Sequence, residues 1–267
     1  MLNDSSPTNP EETLVNVHAK LFLLCCLLLG NCAGASAKSI TVASAANFKS
    51  TLELLASRFE DTTANQVTVI TASSGVLYTQ ITYGAPFDVF LSADASRPVE
   101  LENQNHTDSF VYAIGQLAFW LPRHSQVNRE EFLRFEARIA IANPAIAPYG
   151  AAAMEVLQRL KPNHRKLVRG NNVNQVFQFV DTGNVAAGLL ALSQLKQGHK
   201  SRYWVIPAEL YSLIEQRGIL LTKSTEAKLF VNYIQSSESR ALISRAGYLL
   251  PVVNDETLNL NPTPEVP

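Results

Sequence analysis

The sequence predicts an α/β fold with mostly parallel sheets, and two observations lead to that prediction. Short apolar, β-branched runs alternate with segments whose apolar residues recur at helical spacing, which is the pattern of strand–helix–strand units. Small polar residues also lie where predicted strands give way to helices, as in Ala43–Asn47 and Thr71–Gly75. Because ligands of such folds bind beyond the carboxyl ends of the strands, these turns are the candidate binding site.

The first part of the chain predicts three strands and two helices. Phe48, Leu52, Leu55 and Phe59 have helical spacing, so they predict one buried face of the first helix. Gly84 ends the second helix. In chain order the predicted elements are strand Ile40–Ala43, helix 48–60, strand Val67–Thr71, a helix after Ser74, and strand Val89–Leu91.

The rest of the chain continues the alternation. A long apolar stretch, Ala113–Leu121, is stopped by Pro122, since proline cannot donate to a strand ladder. The predicted elements that follow are strand 138–142, helix Ala151–Leu160, a strand ending at Val168, a helix opened by Asn171–Asn174, strand Val185–Leu192, and helical region Glu226–Ile243. The inward face of the last region is expected at Leu229, Tyr233 and Ile234.

Residues 1–37 have the pattern of a cleavable signal peptide. Lys20 precedes the apolar run Leu21–Gly30, which is too short to span a bilayer but fits the core of a secretory signal. Ala35-Ser-Ala37 then supplies the small residues that signal peptidase accepts. We therefore expect a mature start at Lys38 and a location in the periplasm. A lipid anchor at Cys32 is the less favoured alternative, because Asn31 fits a lipoprotein cleavage site badly.

Composition excludes several functions. The net charge of −1 gives no basic surface for nucleic acid. All three cysteines, Cys25, Cys26 and Cys32, lie in the predicted leader, so the mature chain has no disulfide and no thiolate. The histidines have no metal-ligand spacing and no Gly-x-Ser-x-Gly turn is present, so the sequence does not predict an enzyme. The polar, proline-bearing residues 254–267 predict a disordered tail.

Four motifs, taken in order, resemble one family. They are Ile40–Phe48, Ala72–Gly75, Gly84–Asp94 and Ala142–Gly150, and the run Gly-Ala-Pro-x-Asp-x-Phe-x-Ser-Ala-Asp is the most specific. This set resembles the periplasmic molybdate-binding proteins of ABC transporters, the ModA family. The resemblance implies a two-lobed type II periplasmic binding fold with two crossing strands and a ligand cleft between the lobes.

The resemblance also implies where each lobe lies. The crossings are expected near Gln116–Leu121 and Ile219–Thr222. Lobe one is then 38–117 plus 219–253, and lobe two is 118–218. The implied partner is a membrane permease of an ABC transporter, the protein is expected to be a monomer, and no cofactor is implied.

The family's ligand positions transfer to Ala46, Asn47, Ser74, Tyr149 and Val173. Molybdenum enters only as molybdate, held by Asn47, Ser74 and Tyr149 and by the backbone N–H of Val173, with a backbone N–H from Ala46 beside them. Some members add a tyrosine from a later strand; this chain has Ala191 there, and Tyr149 is the expected replacement.

The chemistry of these residues suits a naked anion. Molybdate and tungstate are fully deprotonated dianions at neutral pH, so their site needs only hydrogen-bond donors, which helix N-termini supply. Taken singly, Asn47 and Ser74 are equally typical helix caps, and Tyr149 a packing residue. Asp88 and Asp94 are interpreted as structural.

Three alternative functions stay open at this stage. The first is a binding protein with the same fold for another oxyanion, such as sulfate or thiosulfate. An enzyme on this fold and a ligand-sensing domain of a transcription regulator are less favoured, because the sequence offers no paired carboxylates and no DNA-binding module.

Overall fold

The computed structural model describes residues 39–105, 107–163, 166–195 and 202–251. The predicted signal peptide and the predicted tail lie outside the described residues. Among the described residues, no helix is both long enough and apolar enough to cross a membrane.

The described residues alternate strands and helices, as the sequence predicts. The strands are β1 Ser39–Ala45, β2 Gln66–Ala72, β3 Val89–Leu91, β4 Phe110–Gly115, β5 Leu117–Trp120, β6 Ile139–Ala142, β7 Leu167–Gly170, β8 Ala187–Ala191, β9 Tyr203–Val205 and β10 Ile214–Leu220. The helices are α1 Lys49–Thr62, α2 Ser74–Thr82, α3 Ser96–Asn105, α4 Arg129–Arg134, α5 Pro148–Leu160, α6 Val173–Asp181, α7 Thr225–Ile234 and α8 Ser237–Arg245. Short 3₁₀ helices lie at Ala46–Phe48, Leu192–Gln194 and Ala208–Leu210.

The described strands form two five-stranded sheets, one in each lobe. The first has the order β2-β1-β3-β10-β4, and the second β7-β6-β8-β5-β9. In the first sheet β1 lies parallel to β2 and β3, while β10 runs antiparallel to β3 and β4. In the second sheet β6 lies parallel to β7 and β8, and β5 runs antiparallel to β8 and β9. Each sheet is therefore mixed, with three parallel strands at one side, β2-β1-β3 or β7-β6-β8, and ligands of such lobes bind beyond the carboxyl ends of the parallel strands.

The chain changes sheet twice within the described residues. The first change falls at Gln116, between β4 and β5. The return falls within 206–213, because β10 pairs with β3 and β4 over its whole length. The predicted second crossing near Ile219–Thr222 is therefore wrong, and residues 214–218 belong to lobe one instead of lobe two. The apolar run at 219–221 looked like a crossing strand, but it is the end of a strand that enters the first sheet at Ile214.

Two helix predictions also need correction. Helix α5 begins at Pro148 instead of Ala151, because proline is well suited to a first helical position, where its missing N–H is not needed. The predicted helical region Glu226–Ile243 is two helices, α7 and α8, with Ser236 capping the second through its side chain. Leu229 is half exposed, at 50%, so the inward face of α7 includes Phe230 and not Leu229.

Each sheet has its own apolar core. In lobe one, Phe48 packs on Tyr112 and Tyr248, with ring centroids 4.8 and 5.5 Å apart. In lobe two, the buried Trp120 stacks on Phe177 at 5.0 Å. These cores hold the helix starts that face each other between the lobes.

Candidate anion-binding site

All five predicted site residues line one small cavity between the two lobes. Its lining is Ala45, Ala46, Asn47, Ser73, Ser74, Ala93, Ala147, Pro148, Tyr149, Asn172 and Val173. The space between these residues is small, about 200 Å³ with the open solvent at its mouth included. None of these lining residues carries a charge. The space suits one compact group, and no carboxylate side chain lines it to repel an anion.

The lobes touch at the rim of this cavity. The Gly75 backbone N–H at the start of α2 donates to the Ile146 carbonyl of the other lobe at 2.9 Å. The Ser193 hydroxyl of lobe two donates to the Asn47 carbonyl of lobe one at 3.2 Å. The cavity is therefore bounded by both lobes at once, and a ligand inside it contacts both.

Among the described residues, four helix starts meet at the cavity. Lobe one contributes the 3₁₀ helix at Ala46 and α2 at Ser74, and lobe two contributes α5 at Pro148 and α6 at Val173. The first N–H groups of a helix have no partner within it, and the helix dipole makes this end positive. Four such ends around one small space are an arrangement that can hold an anion with neutral groups alone.

The local sequence leaves these backbone donors available. Ala45, Ser73 and Ala147 occupy the N-cap positions of their helices without any side-chain cap bond. Asn172 does cap α6, but its Oδ1 accepts from the Gln175 N–H and not from Val173. Pro148 has no N–H at all, so the next donor of α5 is the backbone of Tyr149.

Ser74 is arranged to donate. Its hydroxyl oxygen accepts the backbone N–H of Ala93 at 2.9 Å, and the side chain is buried. Because one lone pair is already occupied by this bond, the hydroxyl hydrogen is directed elsewhere. The cavity that Ser74 lines is the place where it can find an acceptor.

Ser73 is a site residue that sequence reasoning missed. It lines the cavity, is 4% exposed, and its hydroxyl has no hydrogen-bond partner among the described residues. Buried hydroxyl groups in native proteins nearly always have a partner. Its position beside Ser74 in the Ala72–Gly75 motif was the available signal, but a serine at an N-cap is ordinarily explained by capping.

Tyr149 presents its phenol oxygen to a buried amide. The Gln216 Nε2 donates to this oxygen at 3.1 Å, and burial raises the pKa of Tyr149 well above its usual value. The ring reaches this position because Gly115 leaves room for it: a Cβ at Gly115 would lie 2.3 Å from the Tyr149 oxygen. Tyr149 is therefore a protonated donor throughout the physiological pH range.

Asn47 lines the cavity, but its carboxamide is committed to other residues. Its Nδ2 donates to Gln216 Oε1 at 2.9 Å and to the Tyr248 hydroxyl at 3.1 Å. The Tyr248 hydroxyl in turn donates to the Asn47 carbonyl at 2.8 Å. Both amide hydrogens thereby have protein partners, so a bond from this side chain to an anion would have to replace one of them. What Asn47 can offer the cavity is its backbone N–H, one residue into the 3₁₀ helix.

The remaining candidates have structural positions. Asp88 accepts the Thr41 backbone N–H at 2.8 Å and the Thr222 hydroxyl at 2.9 Å. Asp94 accepts the Arg97 N–H at 3.0 Å in the first turn of α3, which confirms the interpretation of both carboxylates as structural. Ala191 is fully buried in β8, opposite Leu117.

One neighbouring groove is less suited to an anion. An open groove of about 700 Å³ lies beside the cavity, but Asp94, Glu155 and Glu215 line it, and its Arg97 is paired with Asp94. Within the described part of the chain, no three His, Cys, Asp or Glu side chains are grouped closely enough to hold a metal ion.

Comparison with known proteins gives a consistent set of similarities. The family described as bacterial extracellular solute-binding protein matches residues 40–249. The molybdate-binding protein ModA of Rhodobacter capsulatus is 37% identical over 236 residues, which are 84% of this chain and 93% of that protein. The ModA of Azotobacter vinelandii is 38% identical over 229 residues, or 80% and 91% of the two chains. The solved structure of the Azotobacter vinelandii periplasmic molybdate-binding protein has a TM-score of 0.73 and 34% identity, covering 80% of this chain and all of that one.

Proposed function

The chain belongs to the ModA family of molybdate-binding proteins, within the bacterial extracellular solute-binding proteins, and from this premise we propose that it captures molybdate or tungstate outside the cytoplasm and delivers it to the permease of an ABC transporter. The observation that supports this most directly is the convergence of four helix starts on one uncharged cavity. It is a binding function, with no covalent step and no cofactor.

The proposed ligand shell consists of donors only. Backbone N–H groups at Asn47, Ser74, Tyr149 and Val173 face the anion, two from each lobe. The hydroxyl of Ser74 adds a donor, because its oxygen already accepts the Ala93 N–H, and the hydroxyl of Tyr149 is the other side-chain donor that we propose. Ser73 adds one more. Molybdate accepts every one of these bonds, since all its oxygens are unprotonated.

The same shell discriminates against phosphate. At neutral pH phosphate carries at least one proton, and that proton needs an acceptor. A buried donor without an acceptor costs about 1–3 kcal/mol, which corresponds to roughly a 5- to 150-fold loss of affinity. Sulfate carries no proton at neutral pH, so its discrimination depends on the size of the cavity alone.

Calorimetry on the mature protein tests the proposal. Molybdate, tungstate, sulfate and phosphate are titrated separately at pH 7.5, with Ser74→Ala as the site variant and Ser50→Ala, an exposed serine of α1, as its matched control. We expect tight molybdate and tungstate binding that Ser74→Ala weakens and Ser50→Ala leaves unchanged. Tighter binding of phosphate or sulfate than of molybdate would overturn the assignment.

Export forms part of the same proposal. We propose that residues 1–37 are removed as a signal peptide and that the mature protein acts in the periplasm as a monomer. N-terminal sequencing of protein from the periplasm checks this, with Lys38 as the expected first residue. A lipid-bearing chain that begins at Cys32 would instead identify a membrane-anchored lipoprotein.

A further inference from the structure

Three alanines of lobe one are buried against lobe two. Ala45 ends β1, Ala46 begins the first 3₁₀ helix and Ala93 follows β3, and their exposed fractions are 2%, 4% and 2%. All three belong to the apolar cluster of lobe two and not to the two clusters of lobe one. Apart from Ile214 at the start of β10, the other buried members of that cluster come from lobe two and the return crossing. These alanines are therefore part of an apolar contact between the lobes.

The same three alanines line the proposed anion cavity. A methyl group neither donates nor accepts a hydrogen bond, so these side chains add nothing to the donor shell. The buried Ser73 hydroxyl, which has no partner among the described residues, independently marks this space as a place for a ligand. The apolar contact between the lobes thus lies at the edge of the space proposed to hold the anion.

Small residues allow the two lobes to approach closely. At the rim of the cavity, the Gly75 N–H reaches the Ile146 carbonyl of lobe two at 2.9 Å, and a Cβ at Gly75 would lie 3.0 Å from that oxygen. Behind the rim, the contact is made by alanine methyl groups. Packed interiors respond to the addition of even one methylene, so larger side chains at these positions would hold the lobes further apart.

The distance between the lobes matters because the proposed donors are mostly backbone N–H groups at helix starts. Such donors cannot extend toward a ligand as a long side chain can, and each needs an acceptor at about 2.7–3.2 Å. An anion therefore contacts the donors of both lobes only if its diameter matches the gap between them. Mo–O bonds are longer than S–O bonds, so molybdate can bridge a gap that leaves sulfate on the donors of one lobe.

We propose that Ala45, Ala46 and Ala93 are specificity-determining residues of the proposed oxyanion site. They set the distance between the closed lobes, and thereby the size of the anion that both sets of donors can reach. The inference rests on the proposed function, because it concerns the same cavity. It adds what separates molybdate from sulfate, two dianions that neither charge nor protonation distinguishes at neutral pH.

Ala45→Val tests this role, since valine suits a strand but enlarges the contact with lobe two. If the strain of the larger side chain arises only on closure, molybdate affinity should decrease roughly 5- to 150-fold. Sulfate affinity should decrease roughly tenfold more, the effect of one further lost bond to a charged ligand. The ratio of molybdate to sulfate affinity, measured by calorimetry at pH 7.5, should therefore increase. Ala93→Val should shift this ratio in the same direction from a different segment.

Ala43→Val is the matched control. Ala43 lies on the same strand and the same face as Ala45 and is 0% exposed. It packs within lobe one, however, and is not among the residues that line the cavity. This variant should lower Tm, because it overpacks a core, while it leaves the ratio of the two affinities at the wild-type value.

Ala45→Gly tests the opposite direction without overpacking. Loss of the methyl group allows the lobes to come closer, so the ratio of molybdate to sulfate affinity should decrease. If the Ala45 methyl group limited the ligand directly, valine would fill the cavity and exclude the larger molybdate first. A ratio that decreases in Ala45→Val, or that is unchanged in Ala45→Gly, would overturn the proposal.

Spin labels measure the distance between the lobes directly. They are attached through Glu53→Cys on α1 and Gln178→Cys on α6, both exposed positions, in mature protein saturated with molybdate. The distance should be longer in Ala45→Val than in wild type and unchanged in Ala43→Val; equal distances in all three would overturn the spacing role.

The two proposals fail in different ways. If wild type binds sulfate or phosphate more tightly than molybdate, the proposed function fails, while the direction in which the affinity ratio changes still decides the spacing role. If wild type prefers molybdate but the ratio does not follow the size of residue 45, the spacing role fails and the proposed function stands. If wild type binds none of the four oxyanions, both fail.

Discussion

Two adjacent serines allow ligand binding to be separated from folding. Ser74 has a protein partner, since its oxygen accepts the Ala93 N–H at 2.9 Å. Ser73 has none among the described residues, although it is buried and lines the same cavity. Substitution to alanine removes one hydroxyl in each case, so the two variants differ only in what that hydroxyl contacts.

Ser74→Ala should lower both stability and affinity. It leaves the Ala93 N–H buried without an acceptor, which costs about 1–3 kcal/mol and lowers Tm by about 2–4 °C for each kcal/mol in a chain of this size. It also removes a donor to a charged ligand, worth about 1.5–3 kcal/mol, or roughly a 10- to 150-fold loss of affinity.

Ser73→Ala should lower affinity alone. Its hydroxyl makes no cap bond to α2, so the usual loss of about 1 kcal/mol for a removed cap does not apply. The Tm of the ligand-free protein should stay the same or increase, because a buried polar group without a partner is removed. Molybdate binding should weaken by the same order as in Ser74→Ala.

Thermal unfolding with and without molybdate measures the stability of each variant, and calorimetry measures its affinity for molybdate. Each tenfold loss of affinity reduces the stabilisation by excess molybdate by about 1.4 kcal/mol. A ligand-free Ser73→Ala protein that melts as early as Ser74→Ala, or that binds molybdate like wild type, would refute the assignment of Ser73 to the anion.

Three further predictions concern the rim and the buried phenols. Tyr149→Phe should bind molybdate on the order of 10- to 150-fold more weakly. Wild type should become more compact when molybdate is added, and in small-angle scattering Tyr149→Phe should need more molybdate to do so. Unchanged binding would remove the Tyr149 hydroxyl from the site. Gly75→Ala should weaken binding without lowering the Tm of the ligand-free protein, because its Cβ would lie 3.0 Å from the Ile146 oxygen of the other lobe while alanine favours the helix; equal affinity by calorimetry would show that the rim adapts. Burial raises the pKa of Tyr112, Tyr149 and Tyr248. Above about pH 10 the unfolded chain loses the phenol proton before the folded protein does, so each buried tyrosine lowers the free energy of unfolding by about 1 kcal/mol between pH 10 and 11. Denaturation at both pH values should show a smaller loss of this free energy in Tyr248→Phe than in wild type.

The sequence predicts those parts of the site that are local in the chain. Ser74 and Val173 begin helices directly after polar turns, and Ala46 and Asn47 follow the first strand, so chain order alone brings them to strand ends. Tyr149 could be named only through the motif at 142–150, because Pro148 looked like a residue before a helix instead of its first residue.

The hydrogen-bond network could not be predicted in this way. Gln216 lies 169 residues from Asn47, and Tyr248 lies 201 residues from it. A glutamine in a strand gives no sequence signal of which partner it will have, since pairing across a sheet is decided by tertiary contacts. The misplaced second crossing has the same cause: β10 inserts antiparallel between β3 and β4, and nothing near residue 214 in the sequence marks that insertion.

The proposed donor shell would make an uncharged site selective for a dianion. Lysine or arginine would attract an oxyanion whatever its protonation state, because a formal charge acts at a distance. Neutral donors act only at hydrogen-bond distance and only in one direction, so an oxyanion that carries a proton is rejected where every group is a donor. Such a site depends on each hydrogen pointing inward. The Ala93 N–H favours this for Ser74, because the Ser74 oxygen accepts from it. The raised pKa of Tyr149 keeps its hydrogen in place. The selectivity therefore resides as much in the residues behind the shell as in the shell itself, and substitutions there should change which oxyanion binds before they change whether the protein folds.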